Sequence, residues 1–127
     1  MSNIDIEFND DENIIIVVLQ ETATIDEFKD LIDTTILPWV WSCHPQRVDL
    51  IGDMSRIAWD FPAFLKFVTD TIERRKQGGV PETMHQHLVG TDQWINNWRT
   101  MMQKRFGMET SAFTSINAAL SFVREQR

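Results

Sequence analysis

From Met84 to its last helix the chain is punctuated in a way that few folds accommodate. Met84 to Val89 reads as a strand, Gly90-Thr91-Asp92 as a turn, and Trp94 to Phe106 as a helix stopped by Gly107. Met108 to Phe113 follows as a second strand, Thr114-Ser115 as a cap, and Ile116 to Arg124 as a closing helix. Each boundary carries its own chemistry. Glycine tolerates the positive φ that ends a helix, and a hydroxyl at a helix start accepts from an otherwise unpaired N–H. Within the first of these helices Trp94, Ile95, Trp98, Met101, Met102 and Arg105 recur at spacings of three and four, which lines them along one face. Strands joined through a helix rather than a tight turn pair in parallel.

The same grammar extends back to the start. Ile4, Ile6 and Phe8 alternate with Asp5 and Glu7, a polar stretch from Asn9 to Asn13 interrupts, and Ile14 to Leu19 runs apolar throughout. This predicts a hairpin whose first strand is half exposed and whose second, buried on both faces, sits at the centre of the sheet. Thr24 with Glu27 three residues on forms a capping box, so a helix over 25–36 is expected, its pattern decaying near Pro38. Arg47 to Ile51 is a short strand ending at the turn Gly52-Asp53. Asp60 before Phe61-Pro62 starts a helix over 61–76, with Phe64, Leu65, Val68 and Ile72 on its apolar face and Gly78-Gly79 at its end. The remaining helices are expected near 93–106 and 115–125. The order β-β-α-β-α-β-α-β-α predicts an α/β fold with a mixed, mostly parallel five-stranded sheet opened by a β-hairpin, and four helices. At 127 residues and 43% apolar, the chain has room for one domain spanning 1–127 with a single core.

Charge and cysteine usage narrow the function classes. A formal charge of −7 repels phosphate backbones, and no basic cluster longer than Arg74-Arg75-Lys76 offsets it, so nucleic acid is not an expected partner. One cysteine, Cys43, allows neither an internal disulfide nor a multi-cysteine metal knuckle and suits a reducing compartment. With no signal-like start and no apolar run near the ~20 residues that span a bilayer, a cytoplasmic location without an integral membrane segment is expected.

Several short motifs meet a known family. Arg47-Val48-Asp49-Leu50-Ile51-Gly52-Asp53 resembles the valine-aspartate-leucine strand of STAS domains, and is more similar still to the SpoIIAA-like proteins related to them. In that group a strand ending in Val-Gly leads to a helix with an early Trp, as in Leu88-Val89-Gly90-Thr91-Asp92-Gln93-Trp94. A later strand ends in Phe before a helix with an Ala-Ala-Leu core, as in Ala112-Phe113 and Ala118-Ala119-Leu120. The resemblance covers roughly residues 4–125 and implies a single-domain STAS-like fold. It also implies protein binding or regulation, with lipid binding in related folds of the wider group.

Candidate sites divide between chemistry and packing. In phosphorylatable STAS antagonists a serine follows the central strand at a helix start; here Ser55 is the hydroxyl of the turn Gly52-Asp53-Met54-Ser55-Arg56, unpreceded by Asp and some five residues short of the next cap. His85 and His87 share a strand face, a spacing that chelates a metal only with a third ligand, and none is nominated, so an edge strand with two polar positions accounts better for them. Cys43 and His44 are adjacent in an extended loop and point apart, which argues against an activated thiolate. Gly90-Thr91-Asp92 reads as a cap in which the carboxylate occupies the N–H groups. Trp94 and Trp98, four apart, belong to a core. Pro38 to Pro45 is an aromatic loop bracketed by prolines, carrying Trp39 and Trp41, and is expected to meet Asp53, Ser55 and Trp59 at one loop-rich edge.

No catalytic constellation assembles, so the sequence is read as a non-enzymatic domain without cofactor or metal. It is expected to bind another protein, a second copy of itself among the candidates, through Trp39, Trp41, Asp53, Ser55 and Trp59. The alternative is a carrier for a small apolar ligand or lipid between sheet and helices, for which six Met and eight Phe supply an adaptable lining.

Overall fold

The structure, a computed structural model, describes residues 3–107 and 111–127. Strand β1 (Ile4–Asn9) turns back through Asn13, whose φ of 53° suits a short polar side chain, into β2 (Ile14–Leu19), and the two pair antiparallel. Strands β3 (Val48–Asp53), β4 (Met84–Val89) and β5 (Ala112–Phe113) then add in parallel, giving one five-stranded mixed sheet in the order β1-β2-β3-β4-β5. The α/β class, the hairpin and the parallel remainder are as the sequence predicts. Of the strand expected over 108–113, residues 108–110 lie outside those described.

Among the described residues five helices follow in chain order: α1 (Ile25–Leu31), α2 (Leu37–Cys43), α3 (Phe61–Lys76), α4 (Asp92–Phe106) and α5 (Ile116–Glu125). The starts are built as the residues dictate. Thr24 and Glu27 close a reciprocal capping box, while Asp60, Thr91 and Ser115 each accept from a backbone N–H of the first turn. The cap of α4 is the Thr91 hydroxyl, not the Asp92 carboxylate, because Asp92 is already the first helical residue. Gly107 ends α4 at φ 60°. Gly90 is required for another reason: a Cβ there would stand 2.6 Å from the Trp94 ring.

Strand alternation divides the core in two. Ile15 and Val17 of β2, Val48 and Leu50 of β3 and Met84 of β4 face α1 to α4, meeting Phe28, Val40, Phe64, Phe67, Trp98 and Met102 in the larger cluster. Ile14, Ile51 and Val89 point the other way, onto Ala119 and Val123 of α5.

Four expectations need correction. Ile14–Leu19 is the second strand rather than the central one, since β3 lies between β2 and β4. Ile16 and Val18 are only half-buried, on the α5 side of the sheet. The aromatic segment after Pro38 is helical. Ile32–Ile36 forms a π-helical segment, with Leu37 N–H donating to Ile32 O, and α2 continues beyond it with Pro38 in its first turn. Widening the ladder just before the proline removes the clash that an α-helical i−4 carbonyl would make with its ring. Finally, β4 is flanked on both sides, so it is not an edge strand.

Candidate functional site

The residues singled out by sequence do not converge. Parallel strands fix which connections share an end: α2 precedes β3 and lies at the amino ends of the parallel strands, whereas 54–60 follows β3 at their carboxyl ends. Trp39 accordingly packs on Phe8, ring centroids 5.2 Å apart, and its indole N–H donates to Asp10 in the hairpin turn at 3.3 Å. Trp41 is 45% exposed and lies beside His44. At the opposite end, the Trp59 N–H donates to Ala23 O at 2.8 Å and its ring sits among Phe28, Phe64 and Phe67. Asp53 accepts from Ser55 N–H at 2.9 Å, closing a turn that leaves Ser55 exposed and clear of the start of α3. The single edge expected to hold Trp39, Trp41, Asp53, Ser55 and Trp59 is therefore two separate places.

His85 and His87 also part company. His85 is exposed, and His87 is buried. Among the described residues no group of three His, Cys, Asp or Glu is placed to hold a metal.

Sequence reasoning passed over a charged cluster on the α5 side of the sheet. Asp49 is fully buried in β3, and its carboxylate accepts from Arg47 Nε and Nη2, both at 3.1 Å, and from Arg127 Nη2 at 2.6 Å. His87 Nε2 lies 2.8 Å from Asp49 Oδ1, and since an ionised carboxylate only accepts, Nε2 carries the hydrogen. Burial alone would raise the Asp49 carboxyl, but the hydrogen bonds from His87, Arg47 and Arg127 outweigh it and hold it well below the usual carboxylate range. Nearby, Arg124 forks onto Glu12 at 2.9 Å, and Arg127 also donates to Glu12 O. An Asp–His pair is half of a nucleophile-activating set, yet among the described residues no hydroxyl or thiol hydrogen-bonds to it. The ring is enclosed by Phe113 and Phe122, and Nδ1 is shielded without a hydrogen-bond partner among the described residues. The cluster ties β3, β4, the hairpin turn and the segment after α5 together.

The opposite face holds a cavity. It has a volume of about 580 Å³ and lies between the sheet and α1, the π segment, α3 and α4, within the range of roughly 300–1,000 Å³ typical of small-molecule sites. Its walls are mainly apolar, with Phe28, Ile32, Phe64, Phe67, Trp98 and Met102 from the helices. Leu50, Gly52 and Leu88 form part of the floor. Gly52 is the telling residue. It has no positive φ, and a Cβ there would meet Leu88 and Met54 at an ordinary 3.8 Å, so nothing in the protein demands a glycine. A glycine inside a strand weakens it and often marks where a ligand approaches the backbone. Along one side two ion pairs, Lys29–Asp70 at 3.7 Å and Asp33–Arg74, link α1 and the π segment to α3.

No protein-family model and no curated protein matches this chain. Among the described residues no helix is long and apolar enough to cross a membrane.

Proposed function

We propose that this domain is a non-catalytic binding module that holds a small apolar molecule between its sheet and helices α1, α3 and α4. The observation that carries the reading is the cavity of about 580 Å³ over Gly52, the one place where the backbone of the central strand is left uncovered by a side chain of its own. The resemblance to SpoIIAA-like domains supports it, since related folds in that wider group bind lipids, and the single cysteine fits a cytoplasmic setting. The competing reading, a protein-binding surface of aromatic residues, loses its main support because Trp39 and Trp41 lie at the other end of the strands from Trp59.

Titration with a neutral medium-chain compound such as decanol tests the proposal by thermal unfolding. At a free concentration tenfold above Kd, binding stabilises by about 1.4 kcal/mol, which corresponds to a Tm rise of roughly 3–6 °C. Gly52→Val, which fills the floor with a residue suited to a strand, should fold and lose that response. If no apolar compound raises the Tm of the native protein, the proposal is wrong.

A further inference from the structure

We infer that the molecule held in this cavity is amphipathic, an apolar tail with an oxyanion head lying against Arg75. This inference rests on the binding reading above and adds the ligand's chemical class. The wall is unbalanced in charge. Of the 12 Lys and Arg in the chain, Lys29, Arg74, Arg75 and Lys76 line the cavity, against Asp33 and Asp70 from 19 acidic residues. In a chain of net charge −7, that is a local reversal of sign.

Three of the four cations already have partners. Lys29 pairs with Asp70, Arg74 with Asp33, and Lys76 with Glu73 at 3.9 Å. Arg75 makes no ion pair among the described residues. It is half-buried, and Nη2 donates to Met84 O at 3.1 Å, one contact from a group with five N–H donors. Burial pushes the guanidinium below its ordinary value, and among the described residues no carboxylate opposes the shift. A partly desolvated cation beside an apolar void is unfavourable by itself. A carboxylate or phosphate anchored by an aliphatic tail in the cavity supplies both the acceptors and the opposite charge, in the forked geometry that arginine matches. A wholly apolar ligand leaves Arg75 as it stands.

Isothermal titration of the native protein with decanoate, decyl phosphate and decanol, and then of Arg75→Gln, tests the assignment. Both anions are expected to bind roughly tenfold tighter than decanol or better, the scale of one charge-assisted hydrogen bond, and the tighter of the two identifies the head group. In Arg75→Gln that preference should fall to near unity while decanol affinity is unchanged. Arg75→Lys, which keeps the charge without the fork, should retain part of it. Equal binding of all three compounds by the native protein overturns the role of Arg75 and leaves the cavity reading in place, a comparison that depends on no variant folding. An undiminished preference in Arg75→Gln overturns it too, and Arg75 is then only a tie between α3 and β4. If none of the three binds, the cavity reading fails and this inference fails with it.

Discussion

Replacing Trp98 separates what its ring contributes from what its N–H costs. The side chain is 6% exposed, stacked on Trp94 at 5.8 Å with the rings 7° from parallel, and set edge-on to Phe64 at 5.4 Å. A buried tryptophan withdraws about 150–250 Å² from water, which at about 25 cal/mol/Å² is about 4–6 kcal/mol. Against this stands Nε1, buried with no acceptor among the described residues, a penalty of about 1–3 kcal/mol that alanine removes. Trp98→Ala should therefore cost about 3 kcal/mol. Trp98→Phe keeps most of the ring and discards the N–H, so it should lie within about 1 kcal/mol of the native protein. Urea denaturation reads both, since at about 1–3 kcal/mol/M the alanine variant loses about 1 M or more in midpoint and the phenylalanine variant little. A phenylalanine variant as unstable as the alanine one would show that the N–H is satisfied and that the subtraction is wrong. An alanine cost below about 1 kcal/mol would show that the ring is not part of the core.

Asp49→Ala should destabilise by about 3 kcal/mol, because it strips a fully buried carboxylate from Arg47, Arg127 and His87 and leaves their charges and donors unanswered. The folded Asp49 carboxyl is held below its unfolded value near ~3.9, so its stabilisation is complete above that pH and is lost as pH falls through and below it. Acid-unfolding curves of Asp49→Asn should accordingly be flatter than the native ones below about pH 4, and an unchanged acid limb would refute the linkage. Trp41→Ala should change stability by no more than about 0.5 kcal/mol, whereas Trp59→Ala, which loses an N–H bond to Ala23 and contacts with Phe28, Phe64 and Phe67, should cost about 3 kcal/mol. Equal effects in thermal melts would contradict the placement of the two rings at different depths.

Local signals were legible where a few neighbouring residues decide the outcome. Thr24 with Glu27, Asp60 and Ser115 mark helix starts, and Gly107 marks a helix end, because caps and left-handed turns are short-range chemistry; at α4 the start was legible, but its cap is Thr91 where the sequence points to Asp92. Pro38 misled for the same reason. As a lone residue it signals a break, but the π segment before it makes room for the ring and lets the helix continue. The Asp49 cluster was missed because it joins residues 38 and 78 positions apart, a pairing that exists only once the sheet has formed. One sign was available: a carboxylate within the apolar run Val48-Asp49-Leu50-Ile51 needs a buried partner. The composition allowed an apolar ligand space between sheet and helices, but the position and walls of the cavity could not be read. It is the space that large side chains such as Phe28, Phe64 and Trp98 leave between helices and sheet, and no single residue encodes it.

The burial of Asp49 bears on which structures the sequence forbids. Val48, Leu50 and Ile51 would suit either side of the sheet, so hydrophobicity alone leaves β3 free to pair one residue out of step. Such a slip would turn Asp49 toward Phe28, Phe64 and Phe67, a dry carboxylate far from His87 and Arg127, at a cost of several kcal/mol. An apolar residue at 49 would lift that penalty and leave the two alignments to compete on packing alone. The carboxylate thus acts as an index mark on a strand that would otherwise read the same from both sides.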